Sequence, residues 1–191
     1  MVGDVGHTRL PPFSITSEEI HRIDGKGCPC PTIASSPGPL YAADVDQNRV
    51  VAYGNNATLL LDRDGNQLLS LPISPLAAQL AGTDLVLLLH GELRDYDTRS
   101  GTLLHVWRLP DVTSGPECAW RACSDNRLVL NDAAQGLVAY TLDAHVHVLR
   151  LADGADATVA AATVARFMDD GLVYADGTRL RLVPFDQLPL R

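Results

Sequence analysis

The chain has 191 residues, of which 46% are hydrophobic, and its mean hydropathy is +0.04, so it has enough apolar material for a packed core and is not a disordered polypeptide. Its net charge of −8 and pI near 5.0 argue against a nucleic-acid partner held through phosphates, and they favour solubility or a basic partner. No apolar run is long enough to span a membrane, and residues 1–12 lack the basic and apolar segments of a secretory signal peptide. We therefore expect no membrane span and no signal peptide in this sequence, and the cellular compartment is left undetermined.

The first 39 residues are predicted to be an irregular N-terminal segment. Residues 25–39 contain four prolines and three glycines, a composition typical of a loop or linker. Ser14–Ile20 fits either a strand or a short capped helix, because Ser or Thr followed by Glu also suits a helix N-terminus. We expect the region near Phe13–Ile23 to be able to supply a closing strand to the last structural unit.

From residue 40 onward the sequence repeats itself with a period of 35–36 residues. Arg49–Tyr53 aligns with Asp84–Leu88 at an offset of 35 residues, and the glycine turns that follow them align at an offset of 36. Gly136–Tyr140 aligns with Gly171–Ala175, again at an offset of 35. The step from the second unit to the third is 53 residues, and its excess falls on residues 111–126, which we predict to be an inserted loop.

Four units follow from this period: repeat 1 (40–74), repeat 2 (75–110), repeat 3 (127–161) and repeat 4 (162–191). Short apolar runs separated by Gly, Asp or Asn turn signals make up each unit, with four runs in repeats 1–3 and three in repeat 4. Runs of this length and spacing predict antiparallel strands joined by hairpins. The fold class is therefore predicted to be all-β.

The clearest hairpin lies within Glu92–Pro110. Apolar residues stand on both sides of Ser100-Gly101, where glycine supplies the positive φ that a tight reversal needs. The side chain of Asp97 can accept hydrogen bonds from the turn backbone. Trp107, on the second arm, is predicted to be a buried residue of the sheet.

This hairpin carries a resemblance to a known group of folds. Asp97-Thr-Arg-Ser-Gly101 followed by Trp107 resembles the D-x-x-[ST]-G-…-W hairpin of bacterial β-propeller repeats of the WD-repeat and quinoprotein-like kinds. The resemblance covers roughly residues 40–188. It implies a β-propeller or partial propeller of about four four-stranded antiparallel blades. Two alternatives stay open: a small ring closed by an N-terminal strand, and the C-terminal part of a larger propeller.

The four cysteines leave three alternatives open: a four-thiolate zinc site formed by Cys28, Cys30, Cys118 and Cys123, a disulfide between Cys118 and Cys123, and free thiols. The spacing departs from that of the usual zinc knuckles, so we predict no metal and keep Cys118 and Cys123 as a candidate disulfide.

Other metal and cofactor signals are explained by the predicted sheet. His145 and His147 point to one face of a predicted strand, as a metal pair would, but an exposed strand face explains them equally. The turn at Asp62–Asn66 lacks the glycine and glutamate positions of a calcium loop. With tryptophan only at positions 107 and 120, the chain does not repeat the signature of quinone-dependent propellers, so no cofactor is predicted.

The fold analogy favours a non-catalytic module that binds a protein or peptide through the loops at one rim, and it does not favour an enzyme. Asp95, Arg99 and Trp120 are the predicted rim-loop contacts. No G-x-S-x-G motif and no placed Ser/His/Asp set is present. One alternative is a C-terminal fragment of a larger propeller enzyme, hydrolase or quinoprotein-like, with its catalytic residues elsewhere. Another is a structural repeat piece that associates with itself.

Overall fold

The computed structural model describes residues 13–15, 19–23, 29–35, 40–46, 48–54, 56–110 and 128–190, and it arranges them in five antiparallel sheets. The N-terminal sheet contains β1 (Phe13–Ile15), β2 (Glu19–Ile23) and β3 (Pro29–Ser35). Repeat 1 contains β4 (Leu40–Val45), β5 (Arg49–Gly54), β6 (Thr58–Asp62) and β7 (Gln67–Leu71). Repeat 2 contains β8 (Ala77–Ala81), β9 (Asp84–Leu89), β10 (Glu92–Asp97) and β11 (Leu103–Arg108). Repeat 3 contains β12 (Leu128–Ala134), β13 (Leu137–Leu142), β14 (His145–Arg150) and β15 (Asp156–Ala160). Repeat 4 contains β16 (Ala165–Met168), β17 (Gly171–Asp176) and β18 (Arg179–Pro184), followed by a short 3-10 helix, Phe185–Gln187.

Each sheet is a meander in which every strand pairs with the next one along the chain. The prediction of an all-β fold with antiparallel sheets is confirmed. The first strands of successive sheets lie against one another, β1 beside β4, β4 beside β8, β8 beside β12, and β12 beside β16. The sheets therefore fan out from a shared inner edge, and the resulting arc is open.

The N-terminal segment differs from the sequence-based expectation. Residues 13–35 hold the three strands of a separate sheet, whereas residues 1–39 were expected to be irregular. β1 pairs with β2, and within the described residues the recorded pairing of β18 is with β17, so Phe13–Ile23 does not complete repeat 4. Backbone pairing of short strands beside prolines is set by contacts with the next sheet, which local composition does not reveal.

The hairpin of repeat 2 forms as predicted, and Asp97 organises its turn. The Oδ1 atom of Asp97 accepts hydrogen bonds from the backbone N–H of Arg99 (3.0 Å), the backbone N–H of Ser100 (2.7 Å) and the hydroxyl of Ser100 (2.8 Å). These bonds lower the pKa of Asp97, and the bond from the Ser100 hydroxyl contributes most. Gly101 has a φ of +69° and donates to the carbonyl of Asp97 at 2.9 Å. The turn thus needs both the acidic residue and the glycine.

Turns of the same kind, each closed by a glycine of positive φ, recur in the other four-stranded sheets, with the bond spanning three residues in repeat 1 and four in repeats 2 and 3. Gly65 donates to the carbonyl of Asp62 at 3.1 Å, and Gly154 donates to the carbonyl of Arg150 at 2.8 Å. Both glycines have positive φ, +85° and +73°. The 35-residue step from Asp62 to Asp97 and the 53-residue step from Asp97 to Arg150 therefore mark equivalent positions, as the sequence period indicated.

The core is divided into three clusters, each filling the space between two neighbouring repeats. Leu60 of repeat 1 packs with Leu85 and Leu87 of repeat 2. The next cluster joins repeats 2 and 3, and the third joins repeats 3 and 4. Trp107 is only half-buried, contrary to the prediction, because it lies on an outer strand, where it packs against the second cluster and against Gly154. Burial between sheets is what holds the arc together.

Two aspartates form hydrogen bonds between the first strands of neighbouring repeats. Asp44 Oδ2 accepts a 2.8 Å hydrogen bond from the backbone N–H of Leu80, and Asp132 Oδ2 accepts one of the same length from Phe167. Both aspartates lie where the strand register shifts, at an irregularity of β4 and of β12. Burial raises the pKa of Asp132 despite the opposing hydrogen bond from Phe167 and the charge of Arg166. These side chains supply acceptors to backbone groups that the sheet ladder leaves unpaired.

Candidate functional site

In repeats 1–3, one edge of the arc carries the turns that join the first strand to the second and the third to the fourth. We call this edge the first rim. Asp97 pairs with Asp84 across β9 and β10, which places turns 82–83 and 98–102 of repeat 2 side by side. In repeat 3 the corresponding turns are residues 135–136 and 151–155. The first rim is therefore formed by short turns that the sheets hold side by side.

An open groove of about 430 Å³ begins at the first rim and runs between repeats 2 and 3; we call it the interblade groove. It is large enough for a side chain or a small ligand. Repeat 2 contributes Asp84, Asp95, Leu104 and His105. The opposite wall and the end of the groove are formed by Gln135, Gly136, Leu137, Arg150, Leu151, Ala152 and Phe185. Most of the side-chain surface inside the groove is apolar, and the charged groups are few.

Asp95 is the most unusual residue of this groove. Its side chain is 2% exposed, in the middle of β10, where it lies opposite Val86 on one neighbouring strand and His105 on the other. Its Oδ2 atom lies 3.3 Å from Nδ1 of His105, and its buried Oδ1 atom has no hydrogen-bond partner among the described residues. Burial raises the pKa of Asp95, and this outweighs the opposing hydrogen bond from His105. A carboxylate held in this way is costly for the fold.

Two other charged residues, Arg150 and Asp84, line the groove. Arg150 is engaged by Asp153, with Nε 2.9 Å from Oδ1 and Nη2 2.6 Å from Oδ2. This pairing lowers the pKa of Asp153 to about 2. Asp84 lies on the same wall as Asp95, and its charge is one of the factors that raise the pKa of Asp95. The groove is thus an apolar cleft with a net acidic wall on repeat 2.

Comparison with solved structures places this architecture among known folds. The WD40 domain of Neurospora crassa Pan2 superimposes with a TM-score of 0.61 at 12% identity, covering 92% of this chain and 59% of that one. Kluyveromyces lactis Hsv2 gives a TM-score of 0.59 at 14% identity, over 88% of this chain and 54% of that one. The computationally designed Ika8 protein gives 0.58 at 16% identity, over 85% and 51%. The chain has a β-propeller fold.

The propeller likeness is one of fold alone. No protein-family model matches the chain, and no curated protein matches it. The chain spans between 51% and 59% of the length of these three propeller structures. WD40 domains are among the similar structures, which agrees with the WD-repeat part of the resemblance.

The predicted rim-loop residues have different positions in the propeller. Asp95 was predicted to lie in a rim loop, but it lies within β10, which continues to Asp97. Its side chain nevertheless lines the groove. Arg99 is exposed in the turn at the first rim, but it is not part of the groove lining. Trp120, Cys118 and Cys123 lie outside the described residues.

The histidines of β14 are part of the sheet surface. His145 is exposed, and its Nδ1–H donates a 2.9 Å hydrogen bond to the carbonyl of Asp143. His147 is half-buried and stacks on Tyr140, with ring centroids 5.0 Å apart. Across the part of the chain that the structure describes, His, Cys, Asp and Glu do not gather in any group of three that could hold a metal ion. Nor does that part contain a helix of the length and apolarity needed to cross a membrane.

Several groove residues were missed by sequence reasoning. The hairpin centred on Ser100 pairs residue 95 with residue 105, so the register alone could have placed His105 beside Asp95. Gly136 and Leu137 were noted as repeat positions, but nothing local shows that they line a groove. Phe185 reaches the groove from the 3-10 helix after the last strand, and only the packing of repeat 4 on repeat 3 brings it there.

Proposed function

We propose that the chain is a non-catalytic propeller module that binds a protein or peptide at the first rim, with the interblade groove as the central contact. The observation that carries this proposal is the groove itself, an apolar cleft of about 430 Å³ that opens among rim turns. Clefts of this kind accept an anchoring side chain from a partner, and anchors in pockets supply most of the binding energy of many interfaces.

The chemistry of the lining supports binding over catalysis. Asp95 and His105 form an acid–imidazole pair, as in many hydrolases, but the described lining contains no Ser, Thr or Cys that such a pair could activate. The His105 ring also stacks on Trp107, with centroids 5.1 Å apart and planes inclined by 27°. In this arrangement the ring forms part of the wall of the groove.

A variant that blocks the groove tests this proposal. Leu104 lines the groove and is exposed enough to be replaced without loss of core packing. We expect peptides selected on the immobilised wild-type chain from a random display library to lose at least about tenfold in affinity for Leu104→Arg. Leu68→Arg is the matched control, because Leu68 lies on the outer strand of repeat 1 and is about equally exposed. Fluorescence anisotropy with the selected peptides measures both affinities.

The following outcomes would contradict this proposal. The first is that no peptide is enriched on the wild-type chain over a denatured control. The second is that the enriched peptides bind Leu104→Arg as tightly as the wild type, since the partner site would then lie elsewhere on the propeller. Equal losses with Leu104→Arg and Leu68→Arg would point to a general charge effect and would count against the groove as well.

A second candidate function is supported by the outer face of repeat 4. Met168, Leu180 and Leu182 are exposed on this face, Leu180 by 77%, whereas Leu172 and Val183 on the other face pack against repeat 3. Each of repeats 1–3 covers the equivalent face with the next sheet. We propose that a second copy of this chain supplies a covering sheet, because the arc is open and none of the described sheets covers these exposed leucines. The enzyme-fragment alternative stays a prediction from the sequence.

Sedimentation measurements test self-association directly. We expect the wild-type chain to form a dimer at micromolar concentrations and Leu180→Glu, which places a charge on the exposed face, to remain monomeric. Leu68→Glu, on the outer strand of repeat 1, is the control for adding one negative charge to an exposed leucine. A monomeric wild type over the whole accessible concentration range would reject this candidate function and leave the rim proposal untouched.

A further inference from the structure

We propose that Asp95 binds a positively charged group carried on an apolar stem, the guanidinium or ammonium of an arginine or lysine side chain of the partner, within the interblade groove. This inference rests on the proposed function, because it names the chemistry of the anchor that the groove accepts. It is carried by the position of the Asp95 carboxylate and by the character of the groove around it.

The carboxylate of Asp95 lacks the partners that a buried charge requires. Only 2% of the residue is exposed, and within the described residues its Oδ1 atom accepts no hydrogen bond. The polar contact that it makes within the described part of the chain, from Oδ2 to Nδ1 of His105, is 3.3 Å long, which is at the weak end for a hydrogen bond. Buried carboxylates are normally satisfied by several donors, so an oxygen that has no partner among the described residues and lies beside a cleft is open to a donor supplied by a binding partner.

The sign of the missing partner follows from the surrounding charges. Asp84 is on the same wall of the groove, and an incoming anion would meet two carboxylates there. The one cationic residue among the described lining, Arg150, is already held by both oxygens of Asp153. A cation is therefore favoured at Asp95, and the overall charge of −8 favours its approach.

The shape and polarity of the groove select an organic cation with an apolar stem. Leu104 from repeat 2, Leu137 from repeat 3 and Phe185 are apolar residues of the lining. Long basic side chains bury their methylene stems along such surfaces while the charged head reaches an acidic group. A metal ion would need several oxygen or nitrogen ligands, and the described residues offer no group of three around Asp95.

His105 covers the carboxylate and can act as its gate. Its side chain is 48% exposed, and it lies between solvent and Asp95 Oδ2 while stacking on Trp107. Because half of the ring is outside the packed core, it can turn away without opening the cluster between repeats 2 and 3. An entering guanidinium would then replace one weak contact with two shorter, charge-assisted ones.

Small cations that mimic the side chains test this assignment on the intact chain. We expect n-butylguanidinium to produce saturable chemical-shift changes in groove residues of the wild type, and n-pentanol, of similar length but neutral, to bind at least about tenfold more weakly. Asp95→Asn is expected to weaken n-butylguanidinium binding by at least about tenfold. Asp176→Asn is the matched control, since it removes one negative charge from an exposed position of repeat 4 and should bind as the wild type does.

Two further measurements separate a binding role of Asp95 from a structural one. Asp95→Asn is expected to melt at or above the wild-type temperature, because it removes a buried charge that lacks partners. His105→Ala, which removes the gate, is expected to bind n-butylguanidinium at least as tightly as the wild type, a result that loss of folding cannot produce. A marked drop in the melting temperature of Asp95→Asn would make the carboxylate structural and overturn the proposal.

The failure of this inference can be told apart from failure of the proposed function. Equal binding of n-pentanol and n-butylguanidinium, no binding of the cation at millimolar concentrations, or unchanged binding to Asp95→Asn would each overturn the cation site. Peptides selected on the groove would still support the rim module if they bound through Leu104 without any basic residue. Selected peptides whose affinity depends both on Arg or Lys and on Asp95 would support both proposals together.

Discussion

Replacing Gly171 by alanine is expected to destabilise the propeller by about 2–5 kcal/mol, because a Cβ at this position would meet backbone atoms that cannot move aside. Gly171 begins β17 with a φ of +157°, and an added Cβ would run into the carbonyl oxygen of Val183 and lie 2.8 Å from Cα of Pro184. Both of those residues belong to β18, which pairs with β17 along its whole length. Urea unfolding followed by circular dichroism measures the loss.

Gly177→Ala is the matched control for this prediction. Gly177 lies in the turn at the other end of the same hairpin, with a φ of +59°, and no atom lies within 4 Å of where a Cβ would be. Its replacement therefore costs only the conformational penalty of a non-glycine residue, about 1 kcal/mol. Similar losses of stability for the two variants would mean that the contact between Gly171 and β18 does not govern the site, and the prediction would be wrong.

The repeat was predictable because its signals are local. A turn such as Asp97–Gly101 needs an acceptor side chain and a glycine at fixed positions, and those residues appear in the sequence regardless of the rest of the fold. The 53-residue step was also visible, because Gly154 carries the same turn signal as Gly101. Strand order then follows, since short hairpins leave a meander as the simplest topology.

The features that join one repeat to another were not predictable in the same way. Asp44 and Asp132 accept hydrogen bonds from residues 35–36 positions later, on the first strand of the next repeat. Nothing within either strand distinguishes such an aspartate from one in an exposed loop. The N-terminal sheet was only partly foreseen: Ser14–Ile20 was compatible with a strand, but the composition of residues 25–39 suggests a loop, and local sequence does not show that β1 lies beside β4.

The candidate site also escaped prediction because it uses the inward face of a strand. Alternation along β10 points Leu93 and Asp95 to the same side, toward repeat 3. Leu93 meets a packed cluster there, while Asp95, nearer the rim, meets the groove. A pattern of alternating burial marks both positions as core. Only the presence of the groove between repeats 2 and 3 distinguishes Asp95 as a candidate binding residue.

Tyr140→Ala is expected to cost about 3–5 kcal/mol, because it removes a very large side chain from the cluster between repeats 2 and 3. Tyr140 is 1% exposed and stacks on His147 across β13 and β14. Its hydroxyl also donates a 2.6 Å hydrogen bond to Oδ2 of Asp156 on β15. Truncation would leave a cavity and remove a donor from the carboxylate, and equilibrium unfolding in urea at neutral pH measures the combined loss.

Tyr140→Phe separates these two contributions, since it keeps the ring and removes only the hydrogen bond, at a cost of about 1 kcal/mol. The pKa of Tyr140 is raised by burial and by Asp156, so ionisation is resisted in the folded state. A raised pKa contributes stability that is complete below pH 10, the unfolded value, and is lost as the pH rises toward the folded pKa. Above pH 10 the wild type should therefore lose its advantage over Tyr140→Phe. If Tyr140→Phe is as unstable as Tyr140→Ala, the hydrogen bond dominates and the ring does not act as the main filler between the two repeats.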